Sequence, residues 1–231
     1  MVQFYLKIFL AITILFSFSC KKDDKWKIPA SVKFKMDINR SPCLAGHLSF
    51  TGGNMKLSYF TFDGNRDQGG DVYFNKTYSN LIVPFDQNNT FTEWSFDIPQ
   101  GAYSQIKISY NMSTNDGTPN MVLLGTYTNT TTSINYPVRF EFEIEEVYQI
   151  IAQTPTSSQQ IVLDKNVATI AHVTMNPVYW FQLVTTTMMD TTRHTLIGAD
   201  STILINKINN TTIYEVIKDR IDDNVSRVIF N

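Results

Sequence analysis

The strongest constraint on the fold of this chain is an alternation of apolar and polar side chains with a period of two residues. In residues 138–145, one series of positions carries Val, Phe, Phe and Ile, and the other carries an arginine and three glutamates. Residues 32–38 repeat the pattern. Because successive side chains of a strand point to opposite faces of its sheet, both segments are predicted to be half-buried strands. The glutamates, Glu141, Glu143 and Glu145, are interpreted as a solvated face and not as a catalytic carboxylate pair.

Further strand segments follow one another along the chain, separated by residues that favour turns. They are residues 44–50, 55–62, 72–74, 81–83, 91–98, 103–112, 121–127, 147–153, 160–164 and 167–175. Gly52 and Gly53, between the first two of these, predict a hairpin turn. Many short strands with turn signals predict a mainly β fold, an antiparallel β-sandwich with a barrel as the alternative, over residues 31–175.

The pattern changes near the C-terminal end. An Asn-Pro pair predicts the start of a short helix over residues 178–185, and apolar side chains recur at helical spacing over residues 213–221. A capping-box pattern, Thr212 with Glu215, precedes the second helix. Since this tail is too small to bury a core of its own, residues 176–231 are predicted to form a short, partly helical C-terminal layer packed on the sandwich.

The N-terminal segment differs in character from the rest of the chain. Lys7 is followed by an unbroken run of apolar and small residues over 8–19, which ends at Cys20. The run is too short to cross a bilayer as a helix, but it fits the apolar region of a secretory signal. Residues 1–19 are therefore predicted to be a signal peptide, and residues 20–30 a polar tether ahead of the sandwich.

Residues 18–20, Phe-Ser-Cys, resemble a lipobox, although Ser17 stands where that motif usually has Leu or Val. The resemblance implies cleavage before Cys20 and acylation of its thiol and its amine. Each buried methylene adds about 0.8 kcal/mol of membrane affinity, so several acyl chains would hold the protein at a membrane. An ordinary secretory signal that ends near Ser19 is the alternative.

The residues after the cysteine are similar to an address within the cell envelope. Lys22, Asp23 and Asp24 resemble the signal that sends lipoproteins of the Bacteroidota to the outer face of the outer membrane. This resemblance implies a lipid-anchored protein at the cell surface, with the periplasmic face of the same membrane as the alternative. It covers only the N-terminal segment and indicates no activity.

The composition argues against one class of partner. The 231 residues carry 19 Lys and Arg against 21 Asp and Glu, which gives a net charge of −2 at pH 7. Nucleic-acid binding calls for clustered positive charge, so no nucleic-acid partner is expected. Once Cys20 is acylated, Cys43 is the remaining cysteine, and no disulfide is expected within the chain.

One polar stretch has the spacing of a calcium site. Asp63, Asn65 and Asp67 stand two apart, as the first oxygen ligands of a calcium loop do, and Asp71 would supply another ligand. Gln68, however, stands where an EF-hand needs glycine, and no glutamate closes the loop. The preferred interpretation is a turn-rich connection between strands, with a calcium site as the alternative and no other cofactor expected.

Aromatic side chains offer a second kind of site. Tyr179 and Trp180 are neighbours and are predicted to stack on a ligand such as a sugar ring. The three histidines and Cys43 are too scattered to predict a metal site. The sequence contains no HExxH, GxSxG or CxxC motif and no phosphate-binding loop.

These observations predict a non-enzymatic, lipid-anchored envelope protein that binds a glycan, a protein or another envelope component. A structural or adhesin-like subunit that pairs through strand edges is the first alternative. A hydrolase whose carboxylates meet only in the fold is the second.

Overall fold

The computed structural model describes residues 24–85, 87–88, 94–112, 117–156, 160–221 and 226–231. The fold is mainly β, with curled sheets that form a half-barrel or sandwich and a short helix near the C-terminus, so the predicted fold class is confirmed. The predicted signal peptide, Cys20, Lys22 and Asp23 lie outside the described residues. Among the helices that are described, none combines the length and the apolar character needed to cross a bilayer.

Thirteen strands and three α-helices are assigned within the described residues. The strands are β1 Pro29–Ile38, β2 Leu48–Arg66, β3 Val72–Pro84, β4 Ser95–Pro99, β5 Gly101–Met112, β6 Met121–Thr128, β7 Asn135–Phe142, β8 Glu146–Ile151, β9 Ile161–Leu163, β10 Thr169–Met175, β11 Thr195–Ile197, β12 Asp200–Ile205 and β13 Arg227–Phe230. The helices are α1 Pro177–Trp180, α2 Thr186–Asp190 and α3 Thr211–Ile221, and short 3-10 turns cover Asp24–Lys27 and Leu44–Gly46.

The strands form two sheets. The smaller sheet has the order β13-β10-β1-β4, and the larger has the order β11-β12-β7-β6-β2-β5-β8, with β3 added to β2 and β9 added to β5. Most neighbours are antiparallel, but β1 pairs with β10 and β7 pairs with β12 in parallel. The alternation of side chains indicates which face of a strand is buried, and it carries no information about the direction of the neighbouring strand.

The inward faces of both sheets share one hydrophobic core. Phe34 of β1 illustrates the packing, because its ring centroid lies 4.9 Å from that of Phe60 in β2 and 6.0 Å from that of Phe230 in β13. Trp94 completes the group at 5.3 Å from Phe34. Each such aromatic pair contributes about 0.5–1.5 kcal/mol beyond the area that it buries.

The C-terminal tail supplies strands to both sheets as well as helices. β12 pairs with β7 of the larger sheet and buries Ile203 and Ile205. β13 pairs with β10 of the smaller sheet and buries Val228 and Phe230, so the last apolar segment is covered by strand pairing. The tail therefore belongs to the same core as the strands before it.

The hairpin predicted at Gly52 and Gly53 is wrong, because β2 continues through both glycines as one strand of 19 residues. Gly53 has a φ of +137°, and a Cβ placed there would lie 1.9 Å from the carbonyl oxygen of Val122 in β6. The register with β6 also shifts between Phe50 and Gly52. The glycines thus permit a bulge and a close approach of two backbones, which is the other common role of glycine in a strand.

The long strand β2 connects two ends of the molecule. Leu48 at its start pairs with Tyr127 of β6, and Arg66 at its end pairs with Tyr103 of β5. At about 3.4 Å per residue, β2 spans at most about 60 Å. The basal end is defined here as residues 24–30, 66–71, 99–103 and 160–167, and the distal end as residues 38–48, 127–136, 176–193 and 206–213.

Candidate functional site

The candidate site is a groove at the distal end, between the end of α2 and the start of α3. Its volume is about 510 Å³, which is within the usual range for small-molecule sites. Four threonines and two asparagines line it together with Arg193, and Met188, Ile208 and Ile213 add apolar surface. Among the described residues that form its wall there is no acid, histidine or cysteine.

Asn210 joins the two sides of the groove. Its side-chain Nδ2 donates to the carbonyl oxygens of Arg193 at 2.9 Å and Leu204 at 2.8 Å, and its Oδ1 accepts from the Arg193 amide at 2.9 Å. Its φ of +50° lies in the left-handed region, which asparagine tolerates better than most residues. Asn210 directly precedes α3, so its side chain fixes the backbone of Arg193 beside the start of that helix.

The turn between β12 and α3 is fixed by Asn206. Its Oδ1 accepts from the amides of Ile208 at 3.0 Å and Asn209 at 2.8 Å, which is the Asx-turn pattern. Its Nδ2 donates to Glu141 Oε2 at 2.9 Å, which ties the turn to β7. Ile208 is held at the outside of this turn with 74% of its surface exposed, although it is a large apolar side chain.

The other wall is positioned by both ends of α2. Thr185 caps the helix, since its Oγ1 accepts from the Met188 amide at 3.2 Å. Asp190 accepts from the Tyr127 hydroxyl at 2.8 Å and the Thr130 amide at 3.0 Å, and also from the Thr130 hydroxyl. The hydrogen bond from the Thr130 side chain is the largest of the contacts that lower the pKa of Asp190, against an opposing effect of burial. The charged carboxylate therefore holds α2 on the connection between β6 and β7.

Several polar groups in the groove are available to a ligand. The side chains of Arg193, Thr211 and Thr212 make no hydrogen bond or ion pair with any other described residue. Thr191 and Thr192 donate to carbonyl oxygens of α2, at 3.0 Å and 2.7 Å, so their hydroxyl oxygens can still accept. The groove therefore presents a guanidinium, hydroxyl donors and hydroxyl acceptors beside an exposed apolar surface.

No sequence motif marks this site, because its residues come from two segments that only the fold brings together. The one local signal is the concentration of asparagines in residues 206–210, just before the capping-box pattern. Such residues favour turns, but they do not indicate that a turn faces a groove.

The stacking prediction is wrong for Trp180, which is only 1% exposed. α1 is a single turn, and it directs Trp180 and Phe181 into the core, where the Phe181 ring lies 5.0 Å from that of Phe50. Tyr179 is half-buried on the other side. The guanidinium of Arg220 lies 4.1 Å from the centre of its ring, so this side chain already covers one aromatic face.

The predicted calcium ligands fall in two kinds of structure. Asp63 and Asn65 belong to β2, and only Asp67 and Asp71 lie in the turn that follows. The turn is organised around the guanidinium of Arg66. It donates to the carbonyl oxygens of Gly69 and Gly70 at 2.6 Å each, to that of Trp26 at 2.8 Å and to that of Gln100 at 3.1 Å. Asp67 accepts a hydrogen bond from the side chain of Gln160. No group of three or more His, Cys, Asp or Glu within the described part of the chain is arranged for a metal ion. Calcium binding stays the untested alternative to a turn-rich connection.

The expectation that Glu141, Glu143 and Glu145 form a solvated face is wrong for the first two. Glu141 accepts from Arg139 Nε at 2.6 Å as well as from Asn206, and Glu143 forms an ion pair with Lys207. The pairing of β12 with β7 brings Asn206 and Lys207 over these carboxylates.

Cys43 and His47 flank one short turn, whereas His172 and His194 lie on other elements. Burial raises the pKa of Cys43 to about 11. The Nδ1 of His47 lies 3.0 Å from the Thr128 carbonyl oxygen, and the His194 ring packs on Tyr136 at 4.2 Å. His172 is on β10, where burial first and then the Lys35 charge lower its pKa.

No protein-family model, no curated protein and no solved structure matches this chain. The side chains of the distal groove are therefore the basis for inferring what it can bind.

Proposed function

We propose that this chain is a lipid-anchored protein of the outer membrane, exposed at the cell surface, that binds a glycan in its distal groove and does not itself catalyse a reaction. Cys20 at the end of a signal-like run supports the anchor. The periplasmic face of the same membrane is the alternative location.

The observation that carries the binding proposal is the set of polar groups in the groove that can still hydrogen-bond a ligand. Sugar hydroxyls both donate and accept hydrogen bonds, and the Thr191, Thr211 and Thr212 hydroxyls match both roles. Ile208 offers an apolar surface on which the C–H face of a sugar ring can pack. The guanidinium of Arg193, which has no partner among the described residues, favours a sugar that carries a carboxylate or a sulfate, because arginine binds such groups through paired hydrogen bonds.

A glycan array followed by calorimetry tests this proposal. The full chain with Cys20→Ala, which remains free of acyl chains, is expected to bind acidic oligosaccharides. Arg193→Gln should weaken that binding about 10- to 100-fold, since hydrogen bonds to charged groups contribute about 1.5–3 kcal/mol.

The matched control is Lys76→Gln, which removes an exposed positive charge from β3, far from the groove. It should leave affinity unchanged. Equal affinities of Arg193→Gln and the parent chain, or binding of no acidic oligosaccharide, would contradict the proposed ligand class.

The anchor is tested by metabolic labelling with a radioactive fatty acid. The parent chain should take up label, and Cys20→Ala should not. Retention of label by Cys20→Ala would place the acyl chains elsewhere.

A second function, pairing with a partner through a strand edge, is favoured by β3. This strand has 13 residues, and within the described part of the chain it pairs with β2 alone. Tyr73 and Ile82 on it are 63% and 54% exposed. Edges of this length are where partner strands add to a sheet.

If β3 mediates assembly, the double variant Tyr73→Lys and Ile82→Lys should abolish oligomers in size-exclusion chromatography, and Arg193→Gln should not.

A further inference from the structure

We infer that the basal end rests against the lipid surface that holds the acyl chains, and that the groove consequently faces away from the membrane. This inference depends on the acylation of Cys20 proposed above. It adds the orientation of the folded body, which acylation alone leaves open.

The first step is that the chain entering the fold is fixed to the basal end. The carbonyl oxygens of Lys25 and Trp26 accept from Gln100 Nε2 at 2.7 Å and from Arg66 Nη1 at 2.8 Å. The Gln100 amide donates to the Ile28 carbonyl oxygen at 2.8 Å. Trp26 packs so closely on Gly69 that a Cβ on that glycine would lie 2.5 Å from the Cβ of Trp26. The predicted tether is therefore part of the folded body from Asp24 onward.

The second step is the length of chain that remains. Cys20 and Asp24 are separated by four peptide units, so their Cα atoms are at most about 14 Å apart, whatever the conformation between them. The acyl chains place Cys20 at the boundary of the hydrocarbon region, and the headgroup layer is itself about 5–8 Å deep. The basal end accordingly lies within a few ångströms of the headgroups.

The third step is the character of the basal surface beside the tether. The Lys165 amide donates to Gln100 Oε1 at 3.4 Å, which places the turn between β9 and β10 next to the docked segment. Val167 on this turn is 58% exposed. Lys25, Lys165 and Asp67 all belong to the basal end, so charges of both signs face headgroups that carry both phosphate and amine. With charge nearly balanced, we expect the anchor and not a net electrostatic attraction to hold this face in place.

The fourth step locates the groove. α2 is held by the hydrogen bond between Asp190 and Tyr127, and Tyr127 pairs with Leu48 at the opposite end of β2 from Arg66. The α2 wall of the groove and the docked tether are thus at opposite ends of the longest strand, and the other wall lies level with Asn54, also away from the tether. A basal end on the membrane leaves the groove open to large ligands outside the cell.

Energy transfer from the protein to labelled lipid headgroups tests this orientation. The lipidated full chain, with Cys43→Ser, receives a donor dye at Asn166→Cys in the basal end or at Ile208→Cys in the groove. Each protein is reconstituted into vesicles of phosphatidylethanolamine and phosphatidylglycerol that contain an acceptor on the headgroup. Transfer from position 166 should exceed transfer from position 208 by about twofold or more, because the Asn206 turn that carries position 208 lies level with Asn54 of β2, about twelve strand residues from Arg66 in the basal end.

A matched variant carries a flexible Gly-Ser insertion between Asp23 and Asp24. It should float with the vesicles as the parent does, but transfer from position 166 should fall, because the longer tether releases the basal end. Circular dichroism checks that every labelled protein retains the parent fold.

The outcomes separate the orientation from the anchor. If the parent chain fails to float with the vesicles and Cys20→Ala behaves identically, the proposed anchor is refuted and the orientation falls with it. If the parent chain floats but the two positions transfer equally, or position 208 transfers more, the anchor stands and the orientation is overturned.

Discussion

At the scale of single residues, polar side chains in this protein mainly satisfy the backbone of turns. Asn129 accepts from the amides of Thr131 and Thr132 at 3.0 and 2.9 Å, and Asn206 does the same for the turn before α3. Such contacts offer the backbone an alternative to a strand or helix ladder, which is why asparagine is frequent where the chain changes direction. The groove owes its shape to this use of asparagine.

Asp190 makes the position of α2 dependent on pH. Its pKa is lower in the folded than in the unfolded protein, so its contribution to stability is present above the ordinary value of 3.8 and is lost as the pH falls through the folded value. Asp190→Asn should therefore lower the Tm at pH 7, and the difference from the parent should shrink below pH 4. The exposed Asp200→Asn is the control and should match the parent throughout. A difference that persists unchanged at pH 2 would contradict the role of the charge.

The buried thiol of Cys43 should be unreactive in the native protein. A pKa of about 11, raised by burial from 9.0, reduces the thiolate at pH 8 about a hundredfold, and thiolate is the reactive form. In the Cys20→Ala chain, where Cys43 is the only cysteine, a thiol reagent should react slowly in buffer and rapidly in guanidinium chloride. Native reactivity equal to that of the unfolded chain would show that the side chain is accessible.

At the scale of elements, side-chain alternation was sufficient to place most strands but not their ends. In residues 32–38 and 103–112 the apolar positions of the alternating pattern are the buried ones, so the predicted inward faces of β1 and β5 are confirmed. Gly52 and Gly53 misled the prediction, since a glycine pair has the same appearance in a tight turn and at a crowded point of a strand. Which of these two roles Gly53 has depends on the backbone of Val122 in β6, which lies against it but is distant in sequence.

The two glycines of β2 should respond very differently to substitution. Gly53→Ala puts a methyl group onto the backbone of β6 at a positive φ, and it should cost about 3 kcal/mol or more in the free energy of unfolding. At Gly52 a Cβ would have the Phe85 carbonyl oxygen as its nearest neighbour, at 3.9 Å, so Gly52→Ala should change stability by only about 0.5 kcal/mol. Urea denaturation measures both. Equal effects would contradict the bulge geometry.

The groove was beyond sequence reasoning for a physical reason. Its walls come from residues 188–193 and 208–213, and they meet because Asn210 bonds to Arg193 across β11 and β12. These two strands were not predicted, since β11 is only three residues long and its Leu196 is 76% exposed. β11 therefore lacks the buried face from which strands are recognised, and the buried apolar residues of β12, Ile203 and Ile205, are too few to indicate a strand by themselves.

At the scale of the whole molecule, the order of the chain differs from the order of the strands in space. The first strand of the smaller sheet, β1, lies between β10 and β4, and the last strand, β13, completes that sheet at its edge. Contacts between segments so far apart in sequence form late and together, which favours a single cooperative unit.

A chain that ends after Met175 should therefore fail to fold. It lacks β12 and β13, and with them the buried Ile203, Ile205 and Phe230. Urea should produce no cooperative transition in this truncated chain. A cooperative transition would mean that the preceding strands form a domain of their own.

A milder change tests the same dependence in the full chain. Phe230→Ala should lower the free energy of unfolding by about 3–5 kcal/mol, whereas Phe230→Leu, which keeps most of the volume, should cost much less. Similar small losses for both variants would show that β13 contributes little to the core.

The length of β2 and the docking of the tether also determine how the protein would respond to a mechanical force. A force between a ligand bound at one end and acyl chains embedded at the other would act along the strands, not across them. β1, which continues from the tether, is bonded to β10 and β4 along its flanks, so the interstrand bonds would be loaded in shear and would have to break together. Tension applied in this direction should meet far greater resistance than tension that peels one strand away at a time.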